Sequence, residues 1–288
     1  MLDLHRLALL REFAERGSIA ATAVATGYSA SAVSQHLSAL EREAGTTLLD
    51  RTARSATLTE AGVLLAEHAV TVLAAVEAAE SDVAALTGEV TGRVVVSVFP
   101  TAATAFAPVL AGLRTTYPRL EIALRQHGPR EALPRLRNRE ADLAVVDDWG
   151  TRKPPLDPDL HRVPLLRDPL YLAGDRASHT WLCAPPDQPS RVATDRVLAR
   201  EGIEPVLRWE FEGLATIAEL VANGTGAAVL PGLALLTADP PRIRVRGARR
   251  IDALVRTASR TRPAVAVTLE ALRHRAKELS TPGKTPTP

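Results

Sequence analysis

Between Thr59 and Thr87 the chain runs without a proline and with a single glycine, Gly62, near its start. Leu65, Val72, Ala79 and Leu86 recur every seven residues on one line, and Ala69, Val76 and Val83 on a second. Sustained over about three heptads, this pattern predicts one helix about 43 Å long at 1.5 Å per residue, carrying a coiled-coil seam. A rod of that length forces the remaining residues into blocks before and after it. The chain offers no second free seam, so the economical partner is a second copy, with packing on the chain's own body as the alternative. The three parts are then 1–58, a linker helix over 59–88, and 89–280, with a flexible tail over 281–288.

The first block reads as short helices followed by a hairpin. Leu7, Leu10, Phe13 and Ala14 lie at helical spacing in a helix that ends near Gly17. Ser18 caps a second helix, Ile19 to Thr26, whose buried side is expected at Ala20, Ala23 and Val24. Gly27-Tyr28 breaks it, and Ser29 caps a third helix running to about Ala44. Val33, Leu37 and Leu40 make one face of the third helix apolar, while Ser31, Ser34, Gln35 and Ser38 give the other short polar groups with no long charges. Two short helices joined at a glycine, the second with such a face, suit a major groove, where Gln pairs with adenine edges and Ser donates or accepts. A three-helix scaffold with a solvated face is the alternative. Residues 46–58 then read as a hairpin wing that brings Arg51 and Arg54 near phosphates.

Beyond Gly88–Gly92, read as a hinge, strands and helices alternate. Strands are expected at 94–98, 120–124 and 142–146, with helices from about Ala103 to Tyr117 and around 130–138. This β-α-β-α-β order favours an open, largely parallel sheet. A second α/β block follows from about Asp168, with strands at 169–173, 206–211 and 227–230, helices over Ser190–Glu201 and Leu214–Asn223, and a last amphipathic helix over 264–279.

Composition narrows the function classes. Net charge is +2 and does not advertise a nucleic-acid partner, although residues 59–90 carry six acids and no base and residues 242–262 are rich in Arg. One cysteine, Cys183, makes neither an internal disulfide nor a Cys-based zinc site. No nucleophile elbow, dinucleotide fingerprint or paired zinc-binding histidines occur, so no catalytic residue, metal or cofactor is expected. With no apolar run of about 18 residues and no secretory signal, the chain is expected in the cytoplasm, away from any membrane.

The residues across 2–66 resemble the LysR-type transcriptional regulators. The likeness rests on Leu2-Asp3-Leu4 with Leu7 and Phe13, then GSIAATA (17–23), SASAVSQHLSALEREAG (29–45) and LLDRTARSATLTEAG (48–62). It continues more weakly through Tyr117-Pro118, Asp142-Leu143-Ala144 and NGTGAAVLPG (223–232). The resemblance implies a winged helix-turn-helix, a dimerising linker helix, and a C-terminal effector domain similar to type 2 periplasmic binding proteins. In that domain a small-molecule cleft lies between two α/β subdomains, here about 93–166 with 246–280, and about 167–245. Ser29, Ser31, Ser34, Gln35 and Ser38 would face DNA, with Arg51 and Arg54 on phosphates. Two departures stand out. Asp50 occupies a position where the family commonly has Phe, and the stretch between Arg176 and Trp181 is shorter than usual, which bears on one cleft wall.

Ligands of open α/β sheets sit at strand carboxyl ends, against helix N-termini. Phe99, Pro100, Thr101 and Ala102 follow the first such strand, Asp147 and Asp148 close the third, and Glu212, Gly213 and Thr216 follow a strand of the second block. Free carboxylates at Asp147 and Asp148, with Glu210 and Glu212 nearby, would suit a cationic or zwitterionic effector such as an amino acid or another small metabolite. The expected protein is a regulator of double-stranded promoter DNA, dimeric or tetrameric, with RNA polymerase a further partner. The alternative is a solute-binding or oligomerisation protein whose helix-turn-helix is only scaffold.

Overall fold

The computed structural model describes residues 1–52, 55–150 and 156–280. Arg54 and the expected tail over 281–288 lie outside the described residues. The chain forms two compact units, one reaching to Leu86 and the other starting at Thr87.

In the first unit, α1 (Leu4–Arg16), α2 (Ile19–Thr26) and α3 (Ala30–Ala44) each begin at a side chain that accepts a free first-turn amide. Asp3 takes Arg6 N–H, Ser18 takes Ala21 N–H and Ser29 takes Ala32 N–H. The turn between α2 and α3 needs a left-handed residue, and Gly27 supplies it at φ 76°. β1 (Leu49–Arg51) pairs antiparallel with β2 (Ala56–Leu58) to make the wing. The core joins Leu7, Leu10 and Phe13 of α1 to Val33, Leu37 and Leu40 of α3 and to Leu48 and Leu49 at the hairpin.

Two expectations are corrected here. In α2 the buried residues are Thr22 and Ala23, while Ala20 is exposed and Val24 is 86% exposed. Thr22 can turn inward because its hydroxyl donates to Ser18 O at 2.8 Å, leaving its methyl to pack. The long helix α4 (Glu60–Thr87) has the predicted extent, but Leu65 and Ala69, placed on the seam by their spacing, belong to the first unit's own core beside Ala66 and Leu73. The first turns of α4 cover the inner side of the hairpin, a use that a heptad count cannot detect. Val72, Ala79, Val83 and Leu86 stay exposed, and Val76 is half-buried.

The second unit contains β3 (Gly92–Val98), α5 (Pro100–Thr116), β4 (Leu120–Gln126), α6 (Pro129–Arg137), β5 (Leu143–Asp148) and β6 (Leu160–Ala173). It continues with β7 (Thr180–Cys183), α7 (Pro189–Glu201), β8 (Leu207–Glu210), α8 (Leu214–Ala222), β9 (Ala228–Pro231), β10 (Arg242–Arg256) and α9 (Pro263–Ser280). Six strands order as β4-β3-β5-β10-β6-β9, and β7 pairs with β8 in a smaller sheet. The three strands expected over 94–146 are parallel to one another, as β4-β3-β5, and β7-β8 is parallel too, but the six-stranded sheet as a whole is mixed: β10 runs antiparallel to both β5 and β6, and β9 antiparallel to β6. The cause is the pair of long strands β6 and β10, of which the sequence reading found only residues 169–173. They run from a first lobe, with a core of Val94, Val96, Phe106, Leu110 and Leu272, into a second, with a core that includes Leu182, Ile217, Val221 and Leu230.

Candidate functional site

The exposed side of α3 is built as its spacing predicts. Val33, Leu37 and Leu40 are buried, which turns Ser31 and Gln35 fully outward and leaves Ser34 and Ser38 half-exposed. Ser34, Gln35 and Ser38 line a shallow concavity with Arg42, a residue the sequence reading missed although it lies four positions beyond Ser38 on the same face. Ser29 is occupied as the N-cap and shares a 2.9 Å hydrogen bond with the Ser31 hydroxyl. Arg51 donates to Glu41 at 3.1 Å and to Ser34 at 3.2 Å, so the wing is tied to α3 through it. Glu41 also accepts Leu48 and Leu49 N–H, both at 3.0 Å. His5, Tyr28 and His36 stack edge-to-face at 5.2 to 5.8 Å between ring centroids, fastening the start of α1 to α3 and to the turn before it.

In the second unit, Phe99, Thr101 and Ala102 are buried at the start of α5 and Pro100 is exposed. Asp147 and Asp148 are half-buried at the end of β5, and Glu212 and Thr216 are exposed around Gly213 before and within α8. α5 packs on the 3-10 turn Gly232–Leu235 and touches α8, which brings the first lobe against the second.

Arg249 organises these groups. It stands on β10 at 1% exposure, and its guanidinium donates to Asp168 at 2.9 Å, to Asp147 at 3.0 Å and to Thr101 Oγ1 at 2.7 Å. The rings of Phe99 and Trp149 lie 5.0 and 5.1 Å from it. Asp168, itself buried, also accepts Leu233 N–H at 3.1 Å. Burial pushes its carboxyl above the usual range, against the pull of Arg249. Asp147 accepts a second bond from Trp149 Nε1 at 2.8 Å, Asp148 pairs with Arg250, and Glu210 pairs with Arg191 at 2.8 Å. Three of the carboxylates expected to repel an anion, Asp147, Asp148 and Glu210, are therefore engaged by arginines, which weakens the argument for a cationic ligand. Neither Arg249 nor Asp168 was singled out from sequence, because an Arg-rich stretch gives no sign of which member turns inward.

His127 follows β4 directly, its N–H donating to Val98 O at 2.9 Å and its Nδ1 lying 3.0 Å from the buried Ser97 hydroxyl. Desolvation and the nearby Arg135 and Arg125 hold its pKa below the ordinary 6.5, against Glu131 and Glu140. A depressed imidazole adds stability above 6.5 that is lost as pH falls through its lower folded value. The His127 ring protons are expected to titrate below 6.5 by NMR, and His127→Gln should flatten the loss of stability on the acid side of 6.5. A midpoint at or above 6.5 would contradict this. Cys183 is buried, and desolvation pushes its thiol up, which leaves little thiolate for redox chemistry. Among the described residues, no helix is long and apolar enough to cross a membrane.

Residues 87–277 match the family model of the LysR substrate binding domain, and residues 4–63 that of the bacterial regulatory helix-turn-helix protein, lysR family. The uncharacterized HTH-type transcriptional regulator YfeR of Shigella flexneri is 28% identical over 249 residues, covering 81% of this chain and 79% of its own. The nitrogen assimilation regulatory protein nac of Klebsiella aerogenes is 29% identical over 244 residues, covering 80% and 78%. A full-length OxyR variant from Pseudomonas aeruginosa matches in fold, with a TM-score of 0.68 at 19% identity over 100% of this chain and 99% of its own.

Proposed function

This chain belongs to the LysR family of bacterial transcriptional regulators, and we propose that α3 reads promoter DNA while a small carboxylate-bearing metabolite, bound between the lobes of the second unit, sets the response. The protein is a DNA-binding transcriptional regulator whose promoter binding is modulated by a small-molecule effector, and it is not an enzyme. The observation that carries the residue-level reading is the face of α3. Its apolar side is spent on the core, and its outward side offers Gln35 flanked by serine hydroxyls and Arg42.

Gln35 is the base reader in this proposal, its amide giving adenine a donor and an acceptor at once. Ser31, Ser34 and Ser38 make secondary contacts, Ser29 holds the helix start, and Arg51, Arg54 and Arg42 meet phosphates. Arg51 keeps donors for a phosphate while bound to Glu41, since a guanidinium has five. The exposed Val72, Ala79, Val83 and Leu86 form the homodimer seam, and two dimers can associate into a tetramer. The site of action is the cytoplasm, with RNA polymerase as a further partner at the promoter. For the effector, the first-turn amides of α5 and α8 supply a site for a carboxylate, since helix N-termini favour anions and Asp147 and Asp148 are already paired with arginines. Amino acids and small organic acids both carry that group.

Fluorescence anisotropy on duplex from the upstream intergenic region, against random duplex over a salt series, tests the reading. Competitor-resistant binding with a steep salt slope is expected. Gln35→Ala should lose about 1–3 kcal/mol on the operator and relax one base position. Arg54→Ala should weaken all sequences alike and flatten the slope by about one unit. Equal loss for Gln35→Ala on operator and random DNA would remove its base-reading role, and equal wild-type affinity for both would leave the helix-turn-helix as scaffold.

A further inference from the structure

β10 passes from the second lobe to the first partway along its length, paired with β6 on both sides of the crossing. Arg242–Arg244 pair with Tyr171–Ala173 of β6 in the second lobe, whereas Arg250–Val255 lie between β5 and β6 in the first. Between Arg244 and Ala248 the register breaks, and Gly247 there has φ 145°, a conformation that residues with a Cβ avoid. The second lobe holds this bulge through α7, since Arg200 donates to Arg246 O at 2.5 Å. The first lobe holds it through Arg249, two residues past Gly247. Arg249 bonds Thr101 on α5, Asp147 on β5 and Asp168 on β6, and Asp168 reaches on to Leu233 N–H in the 3-10 turn Gly232–Leu235, where Leu233 packs into the first core and Ala234 and Leu235 into the second. One buried guanidinium thus connects both walls of the cleft at the point where the ladder of β10 is interrupted.

We propose that the 245–247 bulge is the hinge between the lobes and that Arg249 is its lock, holding the lobe angle seen here through Thr101, Asp147 and Asp168. An effector changes the lobe angle only by favouring an arrangement in which this set of bonds is redistributed. The Thr101 bond is the one to yield first, because it alone pairs the guanidinium with a neutral group and it sits in the first turn of α5. The inference rests on the two-lobed effector reading above, but its test uses no ligand.

In a Cys183→Ser background, spin labels at Thr115→Cys on α5 and Glu219→Cys on α8 report the distance between lobes. Labels at Thr115→Cys and Ala266→Cys report a distance inside the first lobe. Electron–electron distance measurements are made on the full chain with native Arg249, with Arg249→Lys and with Thr101→Val. Lysine keeps the charge but cannot span three partners with a planar fork, and valine removes only the hydroxyl. Both substitutions are expected to fold and to widen the between-lobe distribution roughly twofold, leaving the within-lobe distribution unchanged. Wild-type widths for both variants would overturn the lock, as would equal widening of the two label pairs, which would make Arg249 a packing group of the first lobe. Because no ligand enters the measurement, a metabolite screen that finds no effector would count against the ligand reading and leave the lock as the widths report it.

Discussion

Gly62→Ala is expected to unfold much of the first unit and abolish operator binding, although alanine is the better helix former by about 1 kcal/mol. A Cβ at position 62 would lie 2.1 Å from Leu48 O and 3.1 Å from Leu58 Cδ2. The Leu48 carbonyl cannot swing away, because it is main chain and already accepts Thr59 N–H at 3.0 Å. Thr59 in turn fastens the start of α4, its hydroxyl accepting Gly62 N–H at 3.0 Å and donating to Thr47 O at 2.9 Å. Relieving the clash means lifting α4 off the hairpin, which uncovers Leu48, Leu49, Ala66 and Ala69 together. A net loss of about 3 kcal/mol is expected, equivalent to roughly 12–24 °C in Tm for a unit of this size. The three tryptophans, Trp149, Trp181 and Trp209, all lie in the second unit, so the readouts separate. Helical signal from circular dichroism should melt early, while the tryptophan transition stays where it was. An unchanged helical melt would show that the hairpin can move aside.

The contrast between α3 and β10 shows what a sequence discloses. Ser29 at the cap, Gly45 past the end and Val33, Leu37 and Leu40 at helical spacing are local signals, and they located α3, its buried side and its outward polar side within a residue. The Ser18 cap likewise placed α2, yet of its expected buried side only Ala23 is buried, because Thr22 satisfies its own hydroxyl and takes the other interior place. β10 has no such local signal. Its first half alternates arginine with Ile243 and Val245, its ladder breaks at Gly247, and its inward residues include the charged Arg249 and Asp252. Charges read as surface until partners are known, and the partners of Arg249 lie 81 to 148 positions away. For the same reason Asp147 and Asp148 looked like free acids. The helix expected from about Ala103 in fact opens at Pro100, where a proline directly after the strand takes the first helical position.

Asp168→Ala is expected to destabilise the second unit by about 3–5 kcal/mol, since it strips the buried Arg249 of one of its two counter-charges and leaves a cavity without an acceptor. Two groups lose their acceptor at once: Arg249 Nε, now 2.9 Å from the carboxylate, and Leu233 N–H at 3.1 Å. Water has little access to either, as Asp168 and Arg249 are each 1% exposed. The glycine at 232 belongs to the same design, because a Cβ there would stand 2.9 Å from Asp168 Oδ1. Asp168→Asn should cost less, its amide oxygen still accepting Leu233 N–H while Arg249 keeps Asp147. The paired change Asp168→Leu with Arg249→Met should recover much of the loss, because a buried ion pair replaced by apolar side chains forfeits attraction and desolvation penalty together. Recovery of stability would not restore the hinge lock, so the double variant separates the two roles of this network. Its urea midpoint should approach that of wild type while its between-lobe distances stay broad. Tryptophan fluorescence in urea measures the stabilities. An Asp168→Ala midpoint within about 1 kcal/mol of wild type would mean that the guanidinium finds another partner and that the network is redundant.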